Sequence, residues 1–239
     1  MGMKCFLVGG FVRDLQLERA NYDLDIAAEG DGIGLAKEIN KKVGGKLVAY
    51  KRFGTATLVS GNIRIDIATT RREKYKEPAA MPQVFFSTLK EDLSRRDFTI
   101  NAMALNINKK TFGQFIDFFG GTKDLEEKKI RVLHDKSFID DPTRIFRAVR
   151  FEQRFGFSIE EHTESLIKEA AKMEMVSKTE FRRIRNELIL ILKEKDAGKV
   201  LLRLREVYGL KFILPDPAAV NSEDLEKQVR GLIKKGRDQ

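Results

Sequence analysis

The sequence is poor in two residue types that build many metal and redox sites. It contains one cysteine, Cys5, and two histidines, His134 and His162. A single cysteine excludes an intramolecular disulfide framework and a thiolate zinc site. Because the two histidines lie far apart in the sequence, we expect structural roles for both, and neither imidazole-based catalysis nor a histidine-rich metal site.

Long hydrophobic runs are also missing. No apolar segment approaches the length of a membrane span. The apolar stretch within the first ten residues, MGMKCFLVGG, is too short for a signal peptide. A cytoplasmic location is therefore expected.

The chain does contain enough apolar residues for a core, together with an excess of positive charge. Its 239 residues suffice for one large domain or two small ones, and 42% of them are hydrophobic. Lys and Arg outnumber Asp and Glu by 45 to 36, which gives a formal net charge of +9. That excess suits a polyanionic partner such as nucleic acid, although a solvated basic surface would give the same balance.

The two halves of the sequence have different patterns, which together predict an α+β fold. Five short β-branched runs in the first half predict strands, and IGLAKEINKKV between the second and third has helical spacing. The predicted strands are Cys5–Val8, Asp23–Ala27, Lys46–Tyr50, Thr55–Ser60 and Ile63–Ala68. From Ser137 onward, three long segments have helical periodicity, so the second half is expected to be all-helical.

Three further segments carry weaker signals. Residues 71–92 lack periodicity and contain two of the five prolines, so we expect a long mobile loop there. The segment Phe115–Leu133 predicts a strand, a Gly-Gly turn, a short helix and a strand. The end of the chain after Pro215 is polar, and we expect its last residues to be frayed.

Two aspartates stand one residue apart on a predicted strand. Since successive side chains on a strand alternate faces, Asp23 and Asp25 project from one face while Leu24 and Ile26 project from the other. Paired carboxylates on one face suit a hard divalent cation such as Mg²⁺. The run IRIDI alternates in the same way, so a neighbouring strand could add Asp66 as a third ligand. The alternative is a pair of solvated aspartates on an edge strand.

A glycine pair precedes this strand. Gly9 and Gly10 follow the first predicted strand and open into FVRDLQL, which can start a helix. Glycines at such a turn let backbone N–H groups approach an anion closely, and Arg13 can reach a phosphate from the first helical turn. A phosphate-binding turn followed by a metal-binding Asp-x-Asp is typical of phosphoryl or nucleotidyl transfer.

At this point the sequence resembles a known family. The segments LVGGFVRD and YDLDIA are similar to the first motif of the polymerase-β-type nucleotidyltransferases, in the form found in class II tRNA nucleotidyltransferases (CCA-adding enzymes) and bacterial poly(A) polymerases. The second motif of that family resembles RRDFTINAMAL, and its hinge, nucleotide-selecting and helix-stabilising motifs resemble DFFGGTKDL, DDPTRIFRAVRFEQRFGF and FRRIRNEL. These motifs occur in family order over residues 5–188.

The resemblance implies a role for each matching residue of the first two motifs. Asp23 and Asp25 would be catalytic and would bind two Mg²⁺ ions, and Asp66 is our own addition as a third carboxylate. The predicted triphosphate and ribose contacts are Gly10, Arg13, Arg96 and Asp97. Arg95, next to them, could equally be a surface charge.

The nucleotide-selecting motif has a structural alternative. In the family its Asp and Arg pair with the base edge of CTP or ATP, which implicates Asp141 and Arg144, with Arg147 and Arg150 facing the nucleotide. Asp141 before Pro142 is equally a good helix N-cap. The four arginines Arg144, Arg147, Arg150 and Arg154 recur at helical spacing and predict a basic stripe. Asp140 departs from the family pattern, which usually has Glu at that position.

Taken together, these features predict a nucleotidyltransferase head at residues 1–135, a helical neck at 136–195, and a short helical remnant of a body with a polar tail at 196–239. The predicted activity is template-independent addition of CMP or AMP from CTP or ATP to the 3′ end of tRNA. Alternatives are a poly(A) polymerase, a small-molecule nucleotidyltransferase, and a non-catalytic RNA-binding module. Little sequence follows the neck, whereas family members usually continue through further domains.

The segment between the first and second motifs bears on which nucleotide is added. In the family, enzymes that add only CC have a shortened loop there, whereas residues 71–92 are full-length with Pro78 and Pro82 in place. The sequence therefore predicts incorporation of AMP, by a CCA-adding or an A-adding enzyme.

Overall fold

A computed structural model describes residues 2–212 and 221–235 of the chain, which folds into two compact units. The first comprises residues 1–74 and 82–127, and the second comprises residues 75–81 and 128–239. The second unit thus begins a little before the predicted head–neck boundary at residue 135, and it also takes in a short segment from the region between the first two motifs.

The first unit is built on a seven-stranded mixed sheet with the strand order β3-β4-β5-β2-β1-β8-β9. Only β2 and β5 pair in parallel within this sheet. The strands of this sheet are β1 (Lys4–Val8), β2 (Asp23–Glu29), β3 (Lys46–Tyr50), β4 (Thr55–Ser60), β5 (Ile63–Thr69), β8 (Met103–Asn106) and β9 (Phe115–Asp117). Its helices are α1 (Gly10–Gln16), α2 (Gly32–Val43), α3 (Leu89–Ser94) and α4 (Gly121–Glu126).

Helix α2 covers one face of the sheet near β2, β4 and β5. Its Ala36 packs in a buried cluster with Ile26 of β2, Ala56 of β4 and Ile67 of β5. The helix begins where the Asp31 carboxylate accepts a hydrogen bond from the Gly34 amide at 2.9 Å. Because side chains alternate along a strand, burial of Ile26 beneath α2 turns Asp25 to the opposite face.

The segment 71–92 is not the structureless loop that the sequence predicts. Strands β6 (Arg71–Lys74) and β7 (Gln83–Phe86) form an antiparallel hairpin, and α3 follows directly. The prediction was wrong because these strands lack alternation between apolar and polar residues. The hairpin instead exposes Phe85 and Phe86, and the guanidinium of Arg72 lies 5.4 Å from the Phe85 ring centroid.

The second unit is mainly helical, as predicted. Helix α6 supplies much of its core through Ile145, Phe146, Ala148 and Val149. The helices are α5 (Ser137–Asp140), α6 (Arg144–Phe155), α7 (Glu161–Lys172), α8 (Phe181–Ile191), α9 (Ala197–Val207) and α10 (Ser222–Lys235). Two short strands, β10 (Lys129–Ile130) and β11 (Ser158–Ile159), pair in parallel.

Within the helical remnant and polar tail predicted at 196–239, Ser222–Lys235 form α10. This helix packs against α9 and buries Leu225, Val229 and Ile233, which recur every four residues along one face. The segment is polar in composition and still forms an amphipathic helix, because its few apolar residues all lie on one side. Residues 213–220 and 236–239, which include the expected frayed end, lie outside the described residues.

None of the helices in residues 2–212 and 221–235 combines the length and apolar character needed to cross a membrane.

Candidate active site

The polar face of the sheet gathers the three predicted carboxylates. In the parallel pair β2–β5, Asp25 lies directly opposite Asp66, and Asp23 lies two residues along β2 on the same face. The Asp66 carboxylate accepts hydrogen bonds from Thr57 Oγ1 at 2.5 Å and Arg64 Nε at 2.8 Å. Within residues 2–212 and 221–235, the carboxylates of Asp23 and Asp25 have neither a hydrogen bond nor an ion pair.

These neighbours perturb the Asp25 carboxyl group. Burial raises its pKa above the ordinary value, and the negative charges of Asp66 and Asp23 raise it further. The guanidinium groups of Arg96 and Arg64 act in the opposite direction without reversing the shift. Burial, the largest of these causes, therefore disfavours the ionised form of Asp25 in the folded protein.

A cavity of about 310 Å³ opens beside this carboxylate. Its polar lining consists of Asp25, Asp66, Tyr50, Thr55, Thr57 and Arg96. Oxygen donors with unpaired negative charge fit a hard divalent cation such as Mg²⁺. In the described part of the chain, no group of three or more acidic, His or Cys side chains is already arranged to hold a metal. The carboxylates of Asp23 and Asp25 could thus accept such a cation, while that of Asp66 is held by Thr57 and Arg64.

The turn between β1 and α1 places backbone against this cavity. Gly9 has φ +70°, and a Cβ atom there would lie 2.9 Å from Arg96 Nη1 and 3.3 Å from Asp25 Oδ2. Any larger residue would therefore suffer both a strained backbone and a clash with Arg96. The sequence analysis placed both glycines at this turn but assigned the triphosphate contact to Gly10, the first residue of α1. The close approach to Arg96 and Asp25 occurs at Gly9. The signal was the glycine pair itself, because the first glycine ends the strand and makes the turn.

Arg13 and Asp97 meet in a buried network instead of in the cavity. Arg13 Nη1 donates to Asn101 Oδ1 at 2.7 Å, and Asn101 Nδ2 donates to Asp97 Oδ1 at 2.9 Å. Arg13 also forms an ion pair with Asp14, at 2.7 Å from Nη2 to Oδ1. This network links α1, and with it the glycine turn, to the segment of the second motif. Contacts of Arg13 and Asp97 with phosphate and ribose remain predictions.

The carboxylate of Asp92 holds the guanidinium groups of Arg95 and Arg96. Asp92 was not among the site residues predicted from the sequence. Asp92 is only 1% exposed. Its Oδ1 accepts from Arg95 Nη2 at 2.7 Å and from the Arg71 amide at 3.1 Å, and its Oδ2 accepts from Arg96 Nη2 at 3.0 Å. Arg95 also pairs with Glu73 at 3.1 Å, so it is not the surface charge that the sequence allowed. The spacing of Asp92 from Arg95 and Arg96, three and four residues, was a local signal for these ion pairs, whereas the contact with the Arg71 amide joins distant parts of the sequence.

The nucleotide-selecting motif lies in the second unit. Asp141 Oδ1 accepts from the Thr143 amide at 3.0 Å and from Thr143 Oγ1 at 2.6 Å, just before α6 begins. The same oxygen pairs with Arg183 Nη2 of α8 at 2.7 Å, and Arg183 Nη1 donates to the Ala79 carbonyl at 3.1 Å. Asp141 therefore closes a turn just before α6, whose N-cap residue is Thr143 and not Asp141 as the structural alternative has it. Asp141 is also held by a cation from the last motif.

The predicted arginine stripe on α6 faces acidic residues. Arg147 and Arg150 lie 3.7 and 3.8 Å from Glu187, and Arg154 Nε donates to Glu194 at 3.0 Å. Arg144 is buried, and its Nη1 donates to Ser137 Oγ at 2.8 Å. The stripe exists, but its charge is largely compensated within the unit. The contacts of Arg147 and Arg150 with a nucleotide stay predictions.

Comparison with known proteins places this geometry in a family. The model of the poly A polymerase head domain matches residues 5–131, more than half of the chain. The chain belongs to the poly A polymerase head domain family. The family match spans the carboxylate strands, the glycine turn and the Asp92 network. A second model, described as the probable RNA and SrmB-binding site of polymerase A, matches residues 156–220.

Three relatives illustrate the likeness of this head-domain protein. An A-adding tRNA nucleotidyltransferase of Geobacter sulfurreducens is 51% identical over 88% of this chain. A solved CCA-adding enzyme in an apo form is 49% identical over 93% of this chain, with a TM-score of 0.86. A tRNA nucleotidyltransferase solved with a primer tRNA and an incoming ATP analog is 40% identical over 95% of this chain, with a TM-score of 0.82.

These relatives are longer than this chain. The chain spans 24% of the length of the Geobacter protein and 53% and 64% of the two solved chains.

Proposed function

We propose that the chain is the catalytic part of a tRNA nucleotidyltransferase, which adds AMP, with or without CMP, to the tRNA 3′ end. The observation that carries this proposal is the unpaired Asp23–Asp25 carboxylate pair beside a cavity that also presents Arg96. Likeness to an A-adding enzyme and to a chain solved with tRNA and an ATP analog supports tRNA and ATP as substrates.

In the proposed reaction, the 3′-hydroxyl of the RNA attacks the α-phosphorus of the nucleoside triphosphate and pyrophosphate leaves. Asp23 and Asp25 would hold two Mg²⁺ ions. Bound there, the ions would favour deprotonation of the attacking hydroxyl and neutralise charge on the leaving group. The family generally uses divalent metals, while the number and identity of the ions here belong to the proposal.

The protein's own groups would orient the triphosphate. Arg96 is held by Asp92 with its Nη1 against Gly9, next to Asp25, and so presents fixed positive charge to the cavity. Such a preorganised cation stabilises charge that builds up on phosphate oxygens as the bond breaks. Gly10 and the Arg13–Asn101–Asp97 network would support the turn that approaches the triphosphate and ribose.

Asp141 and Arg144 would select the base. We expect Asp141→Ala and Arg144→Ala to lose discrimination between nucleotides by about 10- to 100-fold, because an unpaired base-edge group costs a few kcal/mol. The measurement is kcat/KM for ATP and for CTP, with binding of Mg²⁺ as a second readout that should not change.

Asp141→Asn provides the matched control for the capping role. An asparagine oxygen can still accept from the Thr143 amide, so the turn is kept, while the charge that pairs with Arg183 is lost. If Asp141 selects the base, this variant keeps its melting temperature and loses discrimination. The contrary outcome is that Asp141→Asn keeps its choice of base and that Asp141→Ala only has a lower melting temperature. Asp141 would then have the capping role alone.

Incorporation of AMP is the most specific part of the proposal. The segment between the first two motifs is full-length, and its β6–β7 hairpin is bound to the Asp92 network through Arg71. We expect efficient addition of a single A to tRNA ending in CC with ATP alone. A parallel reaction uses tRNA lacking all three nucleotides with CTP alone.

The products of these reactions separate the alternatives. Addition of C without any addition of A, even at high protein concentration, would contradict the proposal. Long A tails on unrelated RNA would instead identify a poly(A) polymerase, which the family description also allows.

A further inference from the structure

A second cavity in the first unit has a different chemical character. It measures about 740 Å³ and lies at the Lys4 end of β1, about 17 Å along the strand from the Gly9 turn at roughly 3.3 Å per residue. It shares no lining residue with the cavity at Asp25. We call it the lysine groove, after its lining residues Lys4, Lys90, Lys109 and Lys110.

The positive charge of the lysine groove is largely uncompensated. Its single carboxylate, Glu29, lies 3.3 Å from Lys4 Nζ and accepts a hydrogen bond from the Leu89 amide at 2.8 Å. In the described part of the chain, Lys90, Lys109 and Lys110 form no ion pair. Elsewhere in the same unit many cations are paired, as in Lys41–Glu38 and Arg71–Glu73.

The walls of the groove add a hydrogen-bond donor and an aromatic ring. Asn106 is only 7% exposed, and its Oδ1 accepts from the Asn108 amide while its Nδ2 has no partner within the described residues. Phe118 is 48% exposed, with Lys90 Nζ 5.7 Å from its ring centroid. Lysines around an exposed ring and a free amide donor resemble the charged grooves that track a nucleic-acid backbone.

The groove faces the same side of the sheet as the catalytic carboxylates. Phe6 of β1 pairs with both Ala27 and Asn106, so Asn106 shares the face of Ala27 and therefore that of Asp25. One face of the unit thus carries the Asp25 cavity near one end of β1 and the separate lysine groove near the other.

We propose that the lysine groove binds the phosphodiester backbone of the RNA substrate, away from its reacting 3′ end. The inference rests on the proposed function only in taking RNA as the substrate. Point charges on lysines and a single amide donor match phosphate oxygens and provide no reading of base sequence. The groove would therefore raise affinity for RNA of any sequence and leave nucleotide choice unchanged.

The test compares two triple variants of the full chain with equal loss of charge. The groove variant is Lys90→Gln, Lys109→Gln and Lys110→Gln. The control variant is Lys37→Gln, Lys42→Gln and Lys46→Gln, which removes three exposed lysines that form no ion pair in the described part of the chain. Binding of a labelled tRNA transcript lacking its 3′-terminal nucleotides is followed by fluorescence anisotropy from about 50 to about 200 mM salt.

We expect the groove variant to bind the tRNA at least about tenfold more weakly at the lowest salt. The slope of the logarithm of its binding constant against the logarithm of the salt concentration should be shallower by about 2 to 3. The control variant should bind within about twofold of the unchanged chain, and ATP affinity should be the same in all three proteins. Equal weakening in both variants would overturn the proposal, because net charge alone would then explain it. The proposal would also be overturned if the groove variant bound tRNA as well as the unchanged chain but no longer bound phosphatidylglycerol vesicles.

These readouts separate the groove from the proposed activity. If the unchanged chain binds tRNA through the groove but adds no nucleotide, the activity is wrong and the groove stands. If it adds nucleotides and the groove variant binds tRNA as well as the control variant does, the groove is wrong and the activity stands.

Discussion

Replacement of Asp25 by asparagine is expected to lower nucleotide addition by about a thousandfold or more. The carboxylate lies opposite Asp66, lines the cavity and has no hydrogen bond or ion pair in the described part of the chain. Several kcal/mol of transition-state stabilisation depend on the metals that it would hold, and each 1.4 kcal/mol is a factor of about ten. The measurement is single-turnover addition of AMP to tRNA ending in CC, with Glu38→Gln as an exposed control.

The same substitution should raise the thermal stability of the metal-free protein. Burial and the neighbouring carboxylates raise the pKa of Asp25, so folding favours its protonated form. That stabilisation is complete below the unfolded-state pKa and is lost as the pH rises through the higher folded-state pKa. At neutral pH the ionised carboxylate therefore opposes folding, and a neutral asparagine removes the penalty.

Mg²⁺ provides the readout that is independent of activity. It should raise the melting temperature of the unchanged chain, because it binds only the folded carboxylate pair, and should raise that of Asp25→Asn much less. Retention of near-normal turnover, or an equal response of both proteins to Mg²⁺, would contradict the proposed metal role of Asp25.

Much of the carboxylate site could be read from local sequence patterns. Alternation in YDLDIA and IRIDI assigns Asp23, Asp25 and Asp66 to one face of their strands, since the period of a strand is two. Burial of Ile26 and Ile67 beneath α2 then fixes which face is polar. Sequence could suggest but not establish that β2 and β5 are neighbours, because strand order depends on contacts between distant segments.

Other features depended on partners that no local pattern reveals. Asp92 and Arg95 look like ordinary charges of a short helix, and only the backbone amide of Arg71 and the carboxylate of Glu73 make them part of a buried network. The β6–β7 hairpin was also missed, because its polar strands are held by pairing with each other and do not show an apolar face in the sequence. For α10 the signal was present in the spacing of Leu225 and Val229, and the polar composition obscured it.

Loss of the charge at Asp92 is expected to damage both stability and nucleotide binding. Asp92→Asn leaves Arg95 and Arg96 without their shared carboxylate in a buried setting, and breaking such a buried pair typically costs about 3 kcal/mol or more. Arg96 would lose the contact that fixes it against Gly9. A displacement of about 1 Å at such a group can cost about 100-fold in rate, so we expect a comparable fall in kcat/KM for ATP.

The pH dependence gives a separate signature of Asp92. Burial by itself would raise its pKa, but Arg96 and Arg95 outweigh burial and hold the pKa below the ordinary value. A depressed folded-state pKa means that the stabilisation is complete above the unfolded-state pKa, near 3.8, and is lost as the pH falls through the folded-state value. The unchanged chain should thus lose stability on acidification below about pH 4, and Asp92→Asn should lose less over that range.

Glu91→Gln is the matched control, because it removes the same charge from an exposed position on the same turn of α3. It should leave the melting temperature and the kinetics for ATP nearly unchanged. If Asp92 positions Arg96, Asp92→Asn raises the KM for ATP even at temperatures where the variant is fully folded. A variant that only melts earlier, with the KM and kcat for ATP of the unchanged chain, would restrict Asp92 to holding the hairpin and α3 together.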